Sequence, residues 1–392
     1  MIRKVQELNL EDRTVFLRVD FNVPLDRGKV TEPHRIESAL PTIRLILDRA
    51  KKLVLASHLG RPNGKVVPQY SLAPVRDHLE RSLKERVVLA PDCIGAEAER
   101  AVADTSHRVV LLENLRFHKE EEQNDPAFSR ALAALADVYV NDAFGAAHRA
   151  HASIAGMAAF FTLKGAGLLL QKELDYLSRV LFNPDKPFVT ILGGAKVSDK
   201  IGVIRNLLPK VNTLLIGGGM AYTFLQAQSI ETGKSLVEAD KIGLAKELMK
   251  EASARGVAFV LPQDHVTGDA EQKNPLVTET EIPSDRIGLD IGPQTVARFA
   301  AEIRKAKMVL WNGPVGLFEV EAYSRGSRAL AQTLAESHSR LVAIIAGGDT
   351  VAAVTAAGVA DRISHLSTGG GATLEFLEGK DLPGIKALEE DG

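Results

Sequence analysis

The stretch PFVTILGG, residues 187–194, is a short and almost wholly apolar run that ends in two glycines. A run of this length suits a strand better than a helix. Because polar residues do not alternate along it, we expect the strand to be covered on both faces, as strands of parallel sheets are. The glycines mark the point where the backbone leaves the sheet.

Further runs of the same kind recur along the chain, at 14–20, 52–58, 108–114, 137–143, 213–219, 258–264, 308–313 and 341–348. Amphipathic helical segments lie between them, at 39–50, 71–83, 126–136, 240–256 and 327–337. Buried strands that alternate with helices predict an α/β protein. These units are too numerous for one ordinary sheet, so we predict two doubly wound (Rossmann-like) parallel-sheet domains.

The stretch from Leu168 to Pro187 separates the two series of strands. Its apolar spacing predicts a helix as far as Leu181, and Asn183-Pro184 should end that helix. A chain of 392 residues also suits two domains. We therefore predict an N-terminal domain at 1–170, a helical hinge at 171–184 and a C-terminal domain at 185–378.

Composition excludes several classes of protein. The net charge of −2 gives no reason to expect nucleic acid or an anionic membrane as a partner. A single cysteine, Cys93, cannot form an intrachain disulfide, which suits a reducing compartment. The charged N-terminus does not resemble a signal peptide, and no apolar stretch is long enough to span a membrane. We expect a cytoplasmic protein.

In the first half of the chain, basic and hydrogen-bonding residues follow the predicted strands. Ligands of open parallel sheets bind outside the carboxyl ends of the strands, and guanidinium groups bind phosphate and carboxylate bidentately. The pattern therefore predicts a site for a small, multiply charged anion. Its candidate residues are Asp20, Phe21, Asn22, Arg35 (predicted to lie in a loop before the first helix), His58, Leu59, Gly60, Arg61, Arg116 and Arg149.

Two alternatives apply to this set. Any one of these arginines could be a solvated surface residue in a weak ion pair, and only their recurrence at successive strand ends favours a site. His148 and His151 could suggest a zinc site. That reading is weak because no cysteine or carboxylate stands near them in the sequence.

In the second half, glycines follow the predicted strands instead. Helix N-termini behind such glycines attract phosphates, and an Asp-Thr pair after two glycines suits a nucleotide-bound magnesium ion. Lys196 and Lys200, predicted on the first turn of a helix, should face the same way. The pattern predicts a nucleotide site that includes Gly194, Lys196, Lys200, Gly218, Gly219, Asn312, Glu319, Gly347, Gly348, Asp349 and Thr350.

Each glycine pair alone could be only a tight turn. The spacing of a P-loop is absent from GGAKVSDK (193–200), and no strand is followed by a dinucleotide fingerprint. An anion site in one domain and a nucleotide site in the other, across a cleft between them, indicate phosphoryl transfer. Such chemistry depends on positioning, neutralising cations and exclusion of water.

Long motifs of this chain resemble phosphoglycerate kinase. They are RVDFNVPL (18–25), SHLGRP (57–62), LLENLRFHKEEE (111–122), YVNDAFGAAHRAHAS (139–153), ILGGAKVSDKI (191–201), GGGMAYTFL (217–225), WNGPVGLFE (311–319), AGGDT (346–350) and STGGGATLEFLEGKDLPG (367–384). The resemblance runs from about Arg18 to Gly384. It implies reversible phosphoryl transfer between 1,3-bisphosphoglycerate and ADP, which gives 3-phosphoglycerate and ATP with Mg²⁺ in glycolysis and gluconeogenesis.

The resemblance also implies roles for residues. Arg35 would stabilise the phosphoryl group in flight, Lys196 and Lys200 would hold phosphate oxygens, Glu319 would bind the ribose, and Asp349 would bind the magnesium ion. Leu289 joins the nucleotide site on this ground alone. The N–H groups around Gly370, Gly371 and Ala372 would face the moving phosphoryl group, which makes Gly371 a catalytic candidate.

Relatives are monomers that close by hinge bending, and their C-terminal segment returns to the N-terminal domain. Here that segment would be 379–392. Two rival functions remain in view. One is a scaffold that has kept the fold and lost the chemistry, since fold alone does not settle activity. The other is a two-domain kinase for a different small acid.

Overall fold

The computed structural model describes residues 2–390. Met1, Asp391 and Gly392, which belong to the first and last predicted segments, lie outside the described residues. The chain divides into two compact units. The first unit runs to Asp175 and resumes at Asp381, and the second unit is Tyr176–Lys380.

The first unit is built on a six-stranded parallel sheet and a small antiparallel hairpin. Its strands are β1 (Thr14–Arg18), β2 (Leu25–Asp26), β3 (Lys29–Val30), β4 (Lys52–Ala56), β5 (Val87–Leu89), β6 (Val109–Leu111), β7 (Val138–Asn141) and β8 (Lys164–Ala166). The sheet has the order β5-β6-β4-β1-β7-β8, and β2 pairs with β3. The chain therefore moves outward from β1 to one edge and then returns to the other side at β7.

Helices connect these strands, as the crossover between parallel strands requires. They are α1 (His34–Leu47), α2 (Ala73–Leu83), α3 (Gly95–Ala103), α4 (Lys119–Glu122), α5 (Pro126–Ala133) and α6 (Leu168–Phe182). The division between the two units falls inside α6, between Asp175 and Tyr176.

The second unit repeats the plan. Its strands are β9 (Phe188–Leu192), β10 (Thr213–Ile216), β11 (Ala258–Val260), β12 (His265–Gly268), β13 (Leu276–Thr278), β14 (Ile287–Ile291), β15 (Met308–Asn312), β16 (Val342–Ala346) and β17 (His365–Leu366). Six of them form a parallel sheet of order β11-β10-β9-β15-β16-β17. A separate antiparallel sheet has the order β13-β12-β14.

The helices that follow are α7 (Ile201–Leu207), α8 (Met220–Ala227), α9 (Ile242–Ala254), α10 (Pro293–Lys305), α11 (Arg325–Glu336), α12 (Gly348–Ala356), α13 (Gly371–Leu377) and α14 (Pro383–Lys386). Helix α14 belongs to the first unit. The Gly384 N–H donates to the carbonyl of Ala147 at 2.8 Å, and Ile2 forms an antiparallel bridge with Glu389. No helix within residues 2–390 is long and apolar enough to cross a bilayer.

Burial of the central strands on both faces explains why their sequences are continuous apolar runs. Every residue of β4, β9 and β15 is buried, so these central strands are covered on both faces. Ile36 and Ile43 of α1 join the core of the first unit, and Phe299 and Ile303 of α10 join that of the second. Each such side chain stabilises the fold by about 1.5–3 kcal/mol through removal from water.

The predicted fold class is confirmed, with two six-stranded parallel sheets. Sequence reasoning did not identify β5, β8 and β17, the hairpin or the antiparallel sheet. These strands have two to five residues each, and several of them are partly exposed. Short runs of that kind carry too little periodicity to be separated from loops.

The prediction for the start of the first helix was wrong. Arg35 lies in the first turn of α1 rather than in a preceding loop. Pro33 occupies the N-cap, where a residue without an N–H costs little, and its carbonyl accepts from Glu37 N–H at 2.9 Å. The predicted helical segment, 39–50, omitted residues 34–38, which form the start of α1.

A buried carboxyl group joins three elements of the first unit. Asp142 follows β7 directly and is fully buried. Its Oδ1 accepts from Leu170 N–H in α6 at 3.0 Å, and the Thr42 hydroxyl of α1 also contacts it. Burial raises the pKa of Asp142 to about 7, and these hydrogen bonds oppose the shift only in part.

The pH dependence of stability should reveal this group. The pKa rises from 3.8 in the unfolded chain to about 7 in the folded one, so the folded state holds the proton more tightly. The associated stability is complete below pH 4 and is lost as pH rises towards 7, by about 4 kcal/mol. D142N removes the titration. Urea unfolding should therefore show wild type losing stability relative to D142N over this range.

The exposed carboxylate Asp77 offers the control for that experiment. D77N should leave the pH dependence of the unfolding free energy as it is in wild type. Parallel curves for D142N and wild type between pH 4 and 7 would contradict the assignment of the raised pKa to Asp142.

Candidate active site

Both parallel sheets contain a point at which the order of strands reverses. In the first unit it lies between β1 and β7, and in the second between β9 and β15. The crevice outside the carboxyl ends of the strands at such a point is where ligands of open α/β sheets bind. The residues predicted from strand ends fall at these edges.

Asp20 and Asn22 organise the edge next to β1. Asp20 is nearly buried and forms an ion pair with Arg35 Nη1 at 2.5 Å. The same carboxylate accepts from Asn22 N–H at 3.1 Å, and Asn22 Oδ1 accepts from Gly60 N–H at 2.9 Å. Four of the predicted residues are thus linked to one another. The Arg35 side chain remains a third exposed, so it can reach a bound anion.

His58 is buried and electrically neutral. Burial holds the pKa of His58 well below its ordinary value, and the charges of Arg18, Arg116, Arg35 and Arg149 lower it further. Arg18 Nη2 donates to His58 Nδ1 at 3.3 Å. The imidazole is therefore a hydrogen-bonding group at neutral pH and not a cation.

Arg18 is a residue that sequence reasoning missed. It is fully buried at the end of β1, and its Nε donates to Ser153 Oγ at 2.8 Å. Ser153 in turn donates to the buried carboxyl group of Glu121 at 2.5 Å. The available signal was an arginine inside an otherwise apolar strand, since a buried charge requires a partner.

The remaining basic residues differ in their environment. Arg116 donates to the Gly60 carbonyl at 2.9 Å and pairs with Glu122 at 3.3 Å, and burial lowers the pKa of Arg116 to about 10. It remains charged at neutral pH. Arg149 is half-buried and contacts His148, whereas Arg61 is exposed.

Two predicted residues shape the backbone of this edge. Phe21 and Leu59 are buried. The N–H of Phe21 donates to Ser57 Oγ at 2.8 Å, and that of Leu59 donates to Asn114 Oδ1 at 3.2 Å. They fix the strand ends on which the polar residues stand.

The environment of His151 argues against a metal site at His148 and His151. Burial, together with the charges of Arg116, Arg18 and Arg149, lowers the pKa of His151 to about 3. Surroundings that disfavour a protonated imidazole also disfavour a bound cation. The same surroundings attract an anion.

In the second unit, several glycines allow strand ends to pack backbone against backbone. A Cβ on Gly193 would lie 2.2 Å from the Pro314 carbonyl, and one on Gly313 would lie 2.3 Å from the Gly193 carbonyl. Gly218 has a φ of +64° and would meet Gly194. Gly219 is less tight, at 3.0 Å from Ala195 O. Backbone packing therefore requires glycine at these positions, whether or not a ligand binds.

Packing does not require a glycine at position 348. Gly348 begins α12, its φ is ordinary, and no atom lies within 4 Å of the position that a Cβ would take. A Cβ on Gly194 or Gly370 would also meet open space, although both have positive φ. Gly347 has a φ of +90° and turns the chain into α12. The space beside Gly348 is thus available to a ligand at the start of α12.

Lys200 is held beside the end of β15. Its Nζ donates to Asn312 Oδ1, and Asn312 Nδ2 donates to the Ala346 carbonyl at 2.9 Å. Burial lowers the pKa of Lys200, while the carboxylates of Asp199 and Asp349 oppose the shift. Thr350 Oγ1 accepts from Gly313 N–H at 2.7 Å. The lysine is therefore positioned before any ligand arrives.

The prediction that Lys196 and Lys200 share a helical turn was wrong. Helix α7 begins at Ile201, and Lys200 is its N-cap. Lys196 lies in the irregular segment before the helix and is exposed, whereas Lys200 is buried. The spacing of four residues suggested a helix, but positive φ at Gly194 leads into a turn instead.

Leu289 and Glu319 come from distant parts of the chain and lie near one another. The Leu289 carbonyl in β14 accepts from Leu317 N–H at 2.8 Å. Glu319 follows two residues later and is exposed. The contact of Leu289 with Leu317 places the segment that carries Glu319 beside β14 within the second unit.

The glycine triplet 369–371 leads into α13. Gly370 has a φ of +47°, and Gly371 is the first residue of the helix and exposed. The Ala372 N–H donates to the Gly369 carbonyl at 3.0 Å. The Ala372 N–H is therefore engaged within the turn, and only the N–H groups of Gly370 and Gly371 remain candidates for contact with a phosphoryl group.

Comparison with known proteins supports a single family. A family model described as phosphoglycerate kinase matches residues 5–380. The chain is 54% identical over 396 residues to phosphoglycerate kinase of Koribacter versatilis, with 98% of each chain covered. It is 52% identical over 390 residues to the cytosolic phosphoglycerate kinase of Triticum aestivum, with 98% of this chain and 97% of the relative covered.

Solved structures agree. Phosphoglycerate kinase from Coxiella burnetii matches with a TM-score of 0.89 and 42% identity, and 99% of each chain is covered. Phosphoglycerate kinase from Pyrococcus horikoshii matches with a TM-score of 0.86 and 30% identity, covering 99% of this chain and 98% of that one. On the family match and these relatives, the chain belongs to the phosphoglycerate kinase family.

Proposed function

We propose that this enzyme transfers a phosphoryl group reversibly between 1,3-bisphosphoglycerate and ADP, with 3-phosphoglycerate and ATP as the products. The observation that carries the proposal is the basic cluster around Asp20 and Arg35, which is assembled at a strand-order reversal in a chain of this family. A coupled assay with 3-phosphoglycerate and Mg-ATP, against a panel of other phosphorylated acids, tests it. Preference for another acid would favour the rival kinase, and no turnover would favour the scaffold.

The first unit is proposed to bind the acid. A phosphorylated carboxylate carries two anionic ends, and arginine forks can bind both. Neutral His58 would donate or accept a hydrogen bond without adding to the repulsion among the arginines. The proposed contacts are Asp20, Phe21, Asn22, Arg35, His58, Leu59, Gly60, Arg61, Arg116 and Arg149.

The second unit is proposed to bind the nucleotide. Phosphates would approach the open space beside Gly348, where the N-terminus of α12 favours negative charge. Glu319 would bind the ribose. The proposed contacts are Gly194, Lys196, Lys200, Gly218, Gly219, Leu289, Asn312, Glu319, Gly347, Gly348, Asp349 and Thr350.

Asp349 is proposed to hold the metal ion that accompanies the nucleotide. It is exposed, near the start of α12 and close enough to Lys200 to influence its charge. A single carboxylate together with substrate phosphates is a donor set that suits Mg²⁺. When bound, the ion neutralises charge on the phosphate oxygens.

The chemistry places modest demands on the protein. The carboxylate of the acid is already ionised, so it can attack the terminal phosphorus of ATP without a general base. The bond to the ADP oxygen breaks and an acyl phosphate forms. Arg35, Lys196, Lys200 and the N–H of Gly371 are proposed to stabilise the charge on the transferred group.

The proposal also covers hinge motion, oligomeric state, cellular location and the position of the C-terminal segment. A hinge at 171–184 would let substrates held by different units meet and would exclude water, which otherwise accepts the phosphoryl group. A monomeric state, a cytoplasmic location and the return of 379–392 to the first domain are proposed on the same family grounds. Sedimentation and fractionation would test the state and the location.

Replacing Arg35 with Ala should lower kcat by about 10³-fold or more, because stabilisation of transition-state charge by an arginine is worth that much. Binding of ATP should change little, since Arg35 belongs to the unit proposed to bind the acid. Steady-state kinetics and nucleotide titration measure the two effects. R44A, an exposed position on the same helix, is the control. Near wild-type turnover in R35A would contradict the role.

Replacing Asp349 with Ala should weaken the binding of Mg-ATP by about 10-fold or more, as loss of metal-site partners does. The KM for 3-phosphoglycerate should stay near wild type. Initial rates at varied Mg²⁺ separate the effects, with the exposed D361A as control. An effect confined to the acid's KM would exclude Asp349 as the metal ligand.

Gly348 allows a test of where the nucleotide lies. G348A adds a methyl group to open space, so stability should hold or improve slightly. If phosphates occupy that space, the KM for ATP should rise by about 10-fold, or 1.4 kcal/mol. Gly243, in α9, is also free of neighbours and of positive φ, which makes G243A the matched control. Unchanged ATP kinetics in G348A would place the phosphates elsewhere.

A further inference from the structure

Three potential metal ligands meet at one edge of the first unit's sheet. Asp92 and Cys93 follow β5, and His118 follows β6, its parallel neighbour. One ligand atom from each residue lies within 4.8 Å of the other two. The adjacent carboxyl ends of β5 and β6 bring them together.

Asp92 is the centre of this group. His118 Nε2 lies 2.7 Å from Asp92 Oδ1, and the Cys93 N–H donates to the same oxygen at 2.6 Å. The Cys93 thiol also hydrogen-bonds to the Asp92 side chain. The thiol and the imidazole thus direct their polar atoms at one carboxylate, and a cation between the three would replace hydrogen bonds with coordination.

We propose that Cys93 Sγ, His118 Nε2 and an Asp92 carboxylate oxygen bind a Zn²⁺ ion, with water as the fourth ligand. Thiolate, imidazole and carboxylate are the ligands that zinc takes in tetrahedral sites. Thiolate selects against the hard ions Mg²⁺ and Ca²⁺. The site is thereby different in chemistry from the one proposed at Asp349.

The geometry needs only a small adjustment. Metal–ligand distances of 2.0–2.3 Å set tetrahedral ligand atoms about 3.3–3.8 Å apart. Separations of up to 4.8 Å must therefore shorten by about 1.5 Å at most, and His118 Nε2 must move away from the Asp92 oxygen that now lies 2.7 Å from it. The His118 ring packs on Phe128 with centroids 5.4 Å apart, which restricts its orientation. The side chains of Asp92 and His118 are 42% and 26% exposed, which gives an ion access from solvent.

The charges around the thiol also favour a cation. Burial raises the pKa of Cys93 well above its ordinary value, and the carboxyl groups of Asp92 and Glu121 raise it further. The carboxyl groups of Asp92 and Glu121, and not the burial that is the largest cause of this shift, favour a divalent ion beside the thiol. His151 differs in that Arg116, Arg18 and Arg149 act on it, although Glu121 Oε1 also lies 4.0 Å from its Nδ1.

Binding should release a proton. The thiol gives up its proton to solvent when sulfur bonds to zinc. The hydrogen that His118 Nε2 shares with Asp92 must also leave that nitrogen, to Nδ1 or to solvent, before Nε2 can bind the metal. The bound ion would tie the segment after β5 to the segment after β6. Zinc should therefore raise the thermal unfolding temperature of the chain.

The test uses the full chain, treated with chelator and free of nucleotide. Calorimetric titration with Zn²⁺ alone should show one site, and repeating it in buffers of different ionisation enthalpy should show at least one proton released, which comes from the Cys93 thiol. Co²⁺ should give a thiolate-to-cobalt charge-transfer band. The chain has a single cysteine, so that band can come only from Cys93.

C93S should weaken Zn²⁺ binding by about 100-fold or more, because a hydroxyl is neither soft nor ionised. H118Q and D92N should weaken it too, and these more exposed positions decide the matter if C93S does not fold. His107 pairs with Asp104 at 3.7 Å, so H107Q is the matched control. D349A should also bind zinc as wild type does.

The proposal is overturned if wild type binds Zn²⁺ only in the millimolar range. It is equally overturned if C93S, H118Q and D92N bind as wild type does, or if Co²⁺ shows no thiolate band. Loss of binding in D349A would assign the ion to the nucleotide site instead.

Discussion

Mutual repulsion among arginines is the constraint on which the acceptor site depends. Arg18, Arg35, Arg116 and Arg149 are close enough to lower the pKa of one buried histidine together. In surroundings of low dielectric constant, such charges must be compensated. The protein does so with the carboxyl groups of Asp20, Glu121 and Glu122, each in contact with the cluster directly or through a serine.

The carboxyl groups compensate the charges of the arginines only in part, and the remaining positive charge favours binding of an anion. Desolvation still lowers the pKa of Arg116, and the pKa of His58 stays well below its ordinary value. A multiply charged acid would relieve the remaining repulsion when it binds. Cations fixed in advance in this way need little reorganisation when charge develops on a transferred group. The same field explains why two histidines beside the arginines do not resemble a metal site.

The constraint in the second unit is steric rather than electrostatic. Its strand ends must approach one another closely and must also leave room for a ligand. Gly193 and Gly313 serve the first purpose, because a side chain on either would collide with backbone. Gly348 is different in that neither φ nor packing requires a glycine there. Some glycines at strand ends are therefore required by backbone packing, whereas others leave space in which a ligand can bind.

The edge formed by β5 and β6 shows how charge selects among similar residues. His118 lies beside the Asp92 carboxyl group and the Cys93 thiol, whereas His151 is under the influence of three arginines as well as of Glu121, 4.0 Å away. Both are histidines that follow strands of the same sheet. Their neighbours, and not their residue type, make one suited to a cation and the other to the surroundings of an anion.

The order of buried strands and helices, the two-sheet fold class and the family could be predicted from the sequence, because apolar runs and long motifs are local properties of the chain. The boundary of α1 and the irregular segment at Lys196 could not, since a proline or a glycine changed the local geometry against the wider pattern. Only the tertiary structure decided that Lys200 is buried while Lys196 is exposed, that Arg18 supports His58, and that Asp92, Cys93 and His118 converge. Burial and charge coupling depend on neighbours that the fold brings together, and spacing along the chain does not contain them.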